Sequence, residues 1–148
     1  MMKKSLLALP FAAMLCLPAV SLARDTAHFL DFQMVVDQAL ADGQLDGSVK
    51  FYLKGQRVPG KISQTFPEAT ANKKTNAANK SDETACEWAL RSVLISFQNN
   101  AKRHGANAVV DMVSFYDKKE YGDPEKFECH AGAIMAGVVM KGKAAIVK

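Results

Sequence analysis

The stretch SDETACEWALRSVLISFQNNAKRHG, residues 81–105, predicts a long amphipathic helix. Ser81 suits a helix N-cap, two acidic residues follow it, and basic residues precede Gly105, which suits a helix stop. Small or apolar side chains recur at helical spacing on one face, and they are Cys86, Ala89, Leu90, Val93, Leu94, Phe97 and Ala101. We therefore expect one long helix over residues 82–104, whose apolar face must cover a sheet.

Four further segments have the patterns of strands that this helix would cover. Residues 48–53, SVKFYL, alternate apolar and polar side chains, and residues 61–66, KISQTF, are a second short candidate that would form a hairpin with them. Residues 106–116 and 126–140 are separated by a turn signal, so we expect a second antiparallel hairpin there. The last strand has a pattern that allows it to continue through Gly142 with a bend.

Residues 29–41, FLDFQMVVDQALA, predict an additional helix towards the N-terminus. Apolar side chains follow helical spacing, Asp31 is a candidate cap, and Asp42–Gly43 is a stop signal. The β-branched pair Val35–Val36 leaves a strand as the alternative. Together the patterns predict an α+β fold, in which one long helix packs on a small, mostly antiparallel sheet.

Residues 67–81, PEATANKKTNAANKS, predict a polar connector between the second predicted strand and the long helix. The segment is rich in Asn, Lys, Thr and Ala and offers little to a core. A solvated loop is one interpretation. The other is a contact loop, in which Lys73, Lys74 and Lys80 would meet an anionic surface.

The N-terminus has the three parts of a secretory signal. MMKK is positively charged, residues 5–20 form an apolar stretch broken by two prolines, and small residues at Ser21 and Ala23 suit cleavage after Ala23. Leu15 precedes Cys16 where a lipoprotein signal would need a small residue, so Cys16 is expected to be discarded with the signal. We therefore expect a signal peptide at 1–23 and a single exported domain at 24–148, with no transmembrane segment after cleavage.

The net charge of the exported part gives little support to a nucleic-acid partner. The full sequence carries +4, and two of its lysines, Lys3 and Lys4, lie in the predicted signal. A small net charge predicts weak, salt-sensitive association with polyanions. We therefore expect no nucleic-acid binding.

The two cysteines outside the predicted signal, Cys86 and Cys129, are expected to form a disulfide bond. Exported proteins with an even number of cysteines usually pair them. Cys129 and His130 would point to opposite faces of a strand, which disfavours a nucleophile–base pair. The remaining histidines, His28 and His104, are scattered without zinc-ligand spacing, so neither a metal nor another cofactor is expected.

His130 is the candidate for a site on the outer face of the last strand. Counting along the predicted hairpin places Asp111 opposite Gly132, so that Asp111, Glu128 and His130 share this face. A histidine–carboxylate couple suggests acid–base chemistry. The alternative is a partly exposed histidine satisfied by a carboxylate, which we favour because no nucleophile is apparent nearby.

Three stretches, NKKTNAANKSDETACEWAL, GANAVVDMVSFY and FECHAGAIMAGV, taken in order, resemble a family of small exported bacterial proteins of unknown function. The likeness extends from about residue 48 onward. Members of this family often carry the label excinuclease ATPase subunit. This chain has neither the phosphate-binding loop G-x-x-x-x-G-K-[ST] nor the zinc-binding cysteine pairs that such an ATPase needs.

The helix followed by GANAVV and an antiparallel strand is also similar to the core of the RcsF and YbjQ-type α+β domains. RcsF-like proteins sense envelope stress through protein contacts, and this chain lacks their lipid-anchor cysteine. The resemblance implies contacts with envelope proteins, and the missing cysteine counts against a role equivalent to that of RcsF.

These patterns lead to one functional expectation and one alternative. We expect a periplasmic or secreted protein without catalytic activity, stabilised by one disulfide, whose partner is an envelope protein or an anionic envelope polymer; self-association stays open. The alternative is a small periplasmic hydrolase or redox enzyme, which would use His130 with Asp111 or Glu128, or the cysteines.

Overall fold

The computed structural model describes residues 23–148, so the predicted signal peptide, apart from Ala23, lies outside the described residues. The described part is α+β, with two helices and a six-stranded mixed sheet. The elements in chain order are β1 (Thr26–Asp31), α1 (Phe32–Ala41), β2 (Lys50–Leu53), β3 (Ile62–Asn76), α2 (Asp82–Arg103), β4 (Ala108–Ser114), a short 3-10 turn (Tyr116–Lys118), β5 (Lys126–Ala131) and β6 (Met135–Val147).

Helix α2 forms where its local signals predict it. The Ser81 side chain accepts a hydrogen bond from the backbone N–H of Thr84 at 3.1 Å, and His104 is the C-cap. Gly105 follows with φ +66°, a left-handed conformation that glycine adopts without strain. The predicted apolar stripe is buried along the length of the helix.

Strand β6 is the centre of the sheet. One of its edges pairs antiparallel with β3 from end to end, and its other edge pairs antiparallel with β5 and then β4. Strand β1 extends the sheet beyond β5 in antiparallel orientation, whereas β2 joins β4 in parallel. β6 continues through Gly142, where an added Cβ would lie 2.9 Å from Val109 Cγ1, so only a glycine fits under this close packing.

The prediction of a hairpin between residues 106–116 and 126–140 is wrong. The chain reverses at 132–134, where the N–H of Gly132 donates to the carbonyl of Met135 at 2.8 Å, so β5 and β6 are separate strands. β4 pairs with β6 instead of β5. The sequence marks this turn only weakly, because Gly132 is the one turn-favouring residue among GAI and no Asn, Asp or Pro accompanies it.

The predicted polar connector at 67–81, and the hairpin between 48–53 and 61–66, are also wrong. Residues 62–76 form one long strand, β3, and its partner is β6 rather than β2. β3 is an edge strand among the described residues, and α2 covers one of its faces, where Ala71 is buried. An edge strand tolerates polar and charged residues because one edge and most side chains face water, so its composition resembles that of a loop.

Helix α1 runs from Phe32 to Ala41, so residues 29–31 of the predicted segment lie outside the helix. Asp31 is its N-cap, and its side chain accepts a hydrogen bond from the N–H of Met34 at 2.7 Å. The three residues before Phe32 belong to β1, which the helical pattern concealed. Within residues 23–148, neither helix has the length and hydropathy required to cross a membrane.

The two helices cover one face of the sheet, called the inner face below. α2 lies across β3 and β6, and fully buried side chains fill the space between them, including Phe97, Phe127, Val138 and Met140. The predicted disulfide is confirmed: Cys86 of α2 bonds Cys129 of β5, with a Cα–Cα distance of 5.8 Å, and both residues are 0% exposed. The bond therefore joins helix and sheet inside the core.

Candidate functional site

A cleft of about 360 Å³ opens on the outer face of the sheet, opposite the helices. Its floor is Gly137 of β6, which pairs with His130 of β5 on one side and Lys74 of β3 on the other. An added Cβ at Gly137 would lie 3.4 Å from Lys74 Cγ, so the absence of a side chain at this position leaves room for the cleft. The cleft thus has a cationic wall and an aromatic wall.

His130 forms the centre of the aromatic wall. Its ring stacks on Tyr116 with a centroid distance of 3.5 Å and an interplanar angle of 6°. Nδ1 lies 3.0 Å from Asp25 Oδ1, and Nε2 lies 2.7 Å from Glu128 Oε1. Both ring nitrogens are therefore engaged, and the ring is held in one orientation.

Tyr116 is stabilised in its neutral form by its surroundings. Burial, and then the nearby negative charge of Asp25, raise the pKa of Tyr116 above its usual value. Its hydroxyl lies 3.5 Å from Asp25 Oδ2, at the limit of a hydrogen bond. A neutral phenol offers this cleft a stacking surface and a hydrogen-bond donor rather than a nucleophile.

Arg24 ties the segment before β1 to the rest of the domain. Its guanidinium donates to both carboxylate oxygens of Asp82, at 2.6 and 3.0 Å, and to the carbonyl of Gly132 at 2.8 Å. This hydrogen-bonded pair lowers the pKa of Asp82 to about 2, and His28 Nε2, 2.9 Å from the same carboxylate, contributes less. The cleft rim is therefore joined to the start of α2 by charged contacts.

The β5–β6 turn supplies an apolar lip to the cleft. Ile134 is 68% exposed and Met135 is 45% exposed. The backbone of this lip is held in place, because the carbonyl of Ile134 accepts a hydrogen bond from the N–H of Ala77 at 2.7 Å. Two large apolar side chains thus project to solvent from an anchored turn.

The structure brings His130 and Glu128 together but separates them from Asp111. Asp111 lies at a bulge in β4, between the pairs Val110–Lys143 and Val113–Lys141, and adopts φ +53°. It is level with Gly142 of β6, whereas His130 pairs with Gly137. The predicted three-residue cluster is therefore wrong, because it assumed that β4 pairs with β5.

The three predicted lysines do not form one patch. Lys74 reaches the cleft, but Lys73 pairs with Val138 and points to the opposite face of β3. Lys80 lies in the turn before α2, where its Nζ donates to the carbonyl of Asn76 at 3.0 Å. A loop would have allowed all three to converge, whereas the alternation of a strand prevents it.

Sequence reasoning missed Arg24, Asp25 and Tyr116. Arg24 and Asp25 are the first two residues after the predicted cleavage site and belong to no local pattern, and Tyr116 lies at the end of a predicted strand. Asp25 and His130 are 105 positions apart, so only the pairing of β1 with β5 reveals their contact.

The cleft lining supplies groups that could contact a ligand. Ser114 carries the one hydroxyl of β4, but it is 1% exposed and accepts a hydrogen bond from the N–H of Glu128 at 2.9 Å. Within residues 23–148, no group of three or more His, Cys, Asp or Glu side chains is arranged to hold a metal ion. The cleft therefore offers a cation, aromatic stacking and an apolar lip.

Comparison of the chain with protein-family models, with curated proteins and with solved structures returned no match. The family resemblance described above therefore stays a prediction.

Proposed function

We propose that this protein is an exported, non-catalytic binding domain of the cell envelope, and that the outer-face cleft is its contact site for a partner protein. The buried Cys86–Cys129 disulfide is compatible with an oxidising, extracytoplasmic compartment. The predicted signal at residues 1–23 supports the same location.

The observation that carries the proposal is the exposed, anchored lip beside an ordered polar wall. Ile134 and Met135 project from a turn whose backbone is already fixed, so a partner would lose little entropy in ordering it. Contiguous exposed apolar side chains next to polar groups are a common feature of protein contact surfaces. Lys74 lies across the floor and adds a cation for an acidic group of the partner.

The contacts of His130 favour binding over the hydrolase alternative. A general base needs a ring nitrogen that can reach a substrate or a nucleophile. Here each ring nitrogen faces a carboxylate, of Asp25 or Glu128. The burial of the disulfide disfavours a redox role. A reactive disulfide must be accessible, whereas both cysteines are fully buried.

Site-specific crosslinking in the cell envelope tests this proposal. A photoreactive amino acid replaces Ile134, and the matched control places it at Ile62, which is also exposed (40%) but lies at the far end of β3. We expect a discrete crosslinked partner from position 134 and not from position 62, and its loss when Lys74→Glu is added. Equal products from both positions, or none from position 134, would contradict the proposal.

An anionic envelope polymer is the competing partner, and Lys74 is the observation that favours it. In that case binding would be abolished by Lys74→Glu and by added salt, while Ile134→Asp would have little effect. Measuring the capture of purified anionic polymer at low and high salt separates the two partners.

A further inference from the structure

A second groove, of about 280 Å³, lies between helix α1 and the edge of strand β2. Its helical side is formed by side chains spaced three, four and seven residues after Gln33, which is one face of a helix. The lining residues of α1 are Gln33, Val36, Asp37 and Leu40, and those of the strand side are Val49, Lys50, Phe51 and Tyr52. This groove is remote from the cleft described above and shares no lining residue with it.

Strand β2 has a free edge that faces this groove. Within residues 23–148, β2 pairs with β4 alone and ends the strand order of the sheet. The N–H of Lys50 donates to the carbonyl of Asn107 at 3.0 Å, so the backbone of Lys50 faces β4. Backbone groups of successive residues point to opposite edges of a strand, and those of Phe51 therefore face the free edge.

The chain itself limits how far this free edge extends. Leu53 lies two residues after Phe51, so its backbone faces the same edge. Its N–H already donates to the side-chain oxygen of Gln56 at 2.9 Å. The open segment is thus short and is centred on Phe51. A ligand that pairs here would form a few backbone hydrogen bonds and would depend on its side chains for the rest of its affinity.

The two faces of β2 differ in what they offer the side chains of such a ligand. Val49 and Phe51 belong to the inner core, and they form with Val36 an apolar floor beside the half-exposed Leu40. On the outer face, Lys50 is exposed and makes no ion pair with another residue of the described chain. Side chains directly opposite each other in neighbouring strands interact, so an acidic residue suits the position beside Lys50.

We propose that this groove binds an extended peptide segment of a partner protein, which adds to β2 as a further strand. The geometry points to a segment in which apolar residues, directed at Val36 and Leu40, alternate with acidic residues directed at Lys50. Backbone pairing at a sheet edge supplies affinity in this mode of recognition, and alternate side chains supply specificity. The proposal is independent of the cleft and of the function assigned to it.

The test uses the purified protein and a fluorescein-labelled hexapeptide that alternates valine with glutamate. We expect saturable binding by fluorescence anisotropy, at least about tenfold weaker for Leu40→Asp, which places a charge in the groove. The matched control is Met34→Asp, also exposed and on α1 but outside the groove lining, which should bind as the wild type does. Equal effects of the two variants would overturn the proposal.

Two modified peptides test the strand geometry and the charge. One peptide carries N-methyl groups on every valine amide, and the other carries them on every glutamate amide. Only one of the two peptides should lose binding, because the backbone N–H groups of one residue type face β2 and those of the other face away from it. Retention by both would overturn strand addition. A valine–lysine hexapeptide should bind more weakly than the valine–glutamate one, and Lys50→Glu should reverse that order; an unchanged order would overturn the charge assignment.

A readout at Phe51 separates the proposal from other occupants of the groove. The backbone N–H of Phe51 should gain protection from hydrogen exchange when the valine–glutamate peptide is added, and Leu40→Asp should remove that gain. If sedimentation instead shows a dimer that Leu40→Asp dissociates, the groove binds a second copy of this chain and the peptide proposal is wrong.

Discussion

The two faces of strand β5 carry neighbouring residues with opposite roles. Cys129 points to the inner face, where it is bonded to α2 and fully buried. His130, the next residue, points to the outer face, where two carboxylates and Tyr116 hold it at the wall of an open cleft. One face of the strand thus stabilises the fold, and the other lines the cleft that we propose as a binding site. The comparison shows that adjacency in sequence says little about shared chemistry in a strand.

The largest effect on stability should come from removing the disulfide on the inner face of β5. The double substitution Cys86→Ala and Cys129→Ala opens a loop of 43 residues and should lower the free energy of unfolding by about 4 kcal/mol through the entropy of the unfolded chain. Urea unfolding of the oxidised wild type and the variant measures the difference. A variant as stable as the wild type would remove the structural role assigned to this face.

Thiol labelling gives that prediction its control. Under native conditions with reductant, the wild type should resist labelling, because both sulfurs lie in the core. After unfolding, reduction should raise the intact mass by two daltons. Rapid labelling of the folded protein would show that the disulfide is accessible, and the redox alternative would then regain support.

A smaller effect on stability should come from removing the His130 side chain on the outer face of β5. His130→Ala removes the group between the carboxylates of Asp25 and Glu128 and leaves them close together, so we expect a loss of about 1–3 kcal/mol in the free energy of unfolding. The same urea experiment measures it. Lys126→Ala, an exposed position on the same face of β5, is the matched control and should change stability by less than about 0.5 kcal/mol.

The smallest effect should be a pH dependence of the melting temperature, which arises from the ion pair between Asp82 and Arg24 of the N-terminal segment. The pKa of Asp82 is lowered to about 2, chiefly by Arg24. A carboxyl group with a lowered folded-state pKa stabilises the fold above its unfolded value, about 4, and this contribution is lost as the pH falls towards 2. Asp82→Asn should therefore reduce the melting temperature at pH 6 but have little effect near pH 2.

The matched control for that experiment is Asp37→Asn, on the exposed side of α1, where the carboxylate contacts Gln33 and no cation in the described chain. Its effect on the melting temperature should be small at both pH values. If the difference between Asp82→Asn and the wild type were the same at pH 2 and pH 6, the ion pair with Arg24 would not stabilise the fold.

The elements that sequence reasoning predicted well depend on neighbouring residues. Ser81, the acidic first turn, the apolar stripe and Gly105 all lie within α2 or next to it, so their signals add up locally. β3 is the opposite case. Its polar composition predicted a loop, and only its pairing with β6, whose residues lie 59 to 85 positions further along the chain than their partners, makes it a strand.

By itself, the sequence determined helix α2 with its caps, the opposite directions of Cys129 and His130, and the pairing of Cys86 with Cys129, because each follows from local periodicity or from counting cysteines. The tertiary structure alone decided which strands pair, and with them the cleft around Gly137 and the contact of Asp25 with His130. Strand partners are chosen by hydrogen bonds and packing between distant segments, and no local pattern encodes that choice.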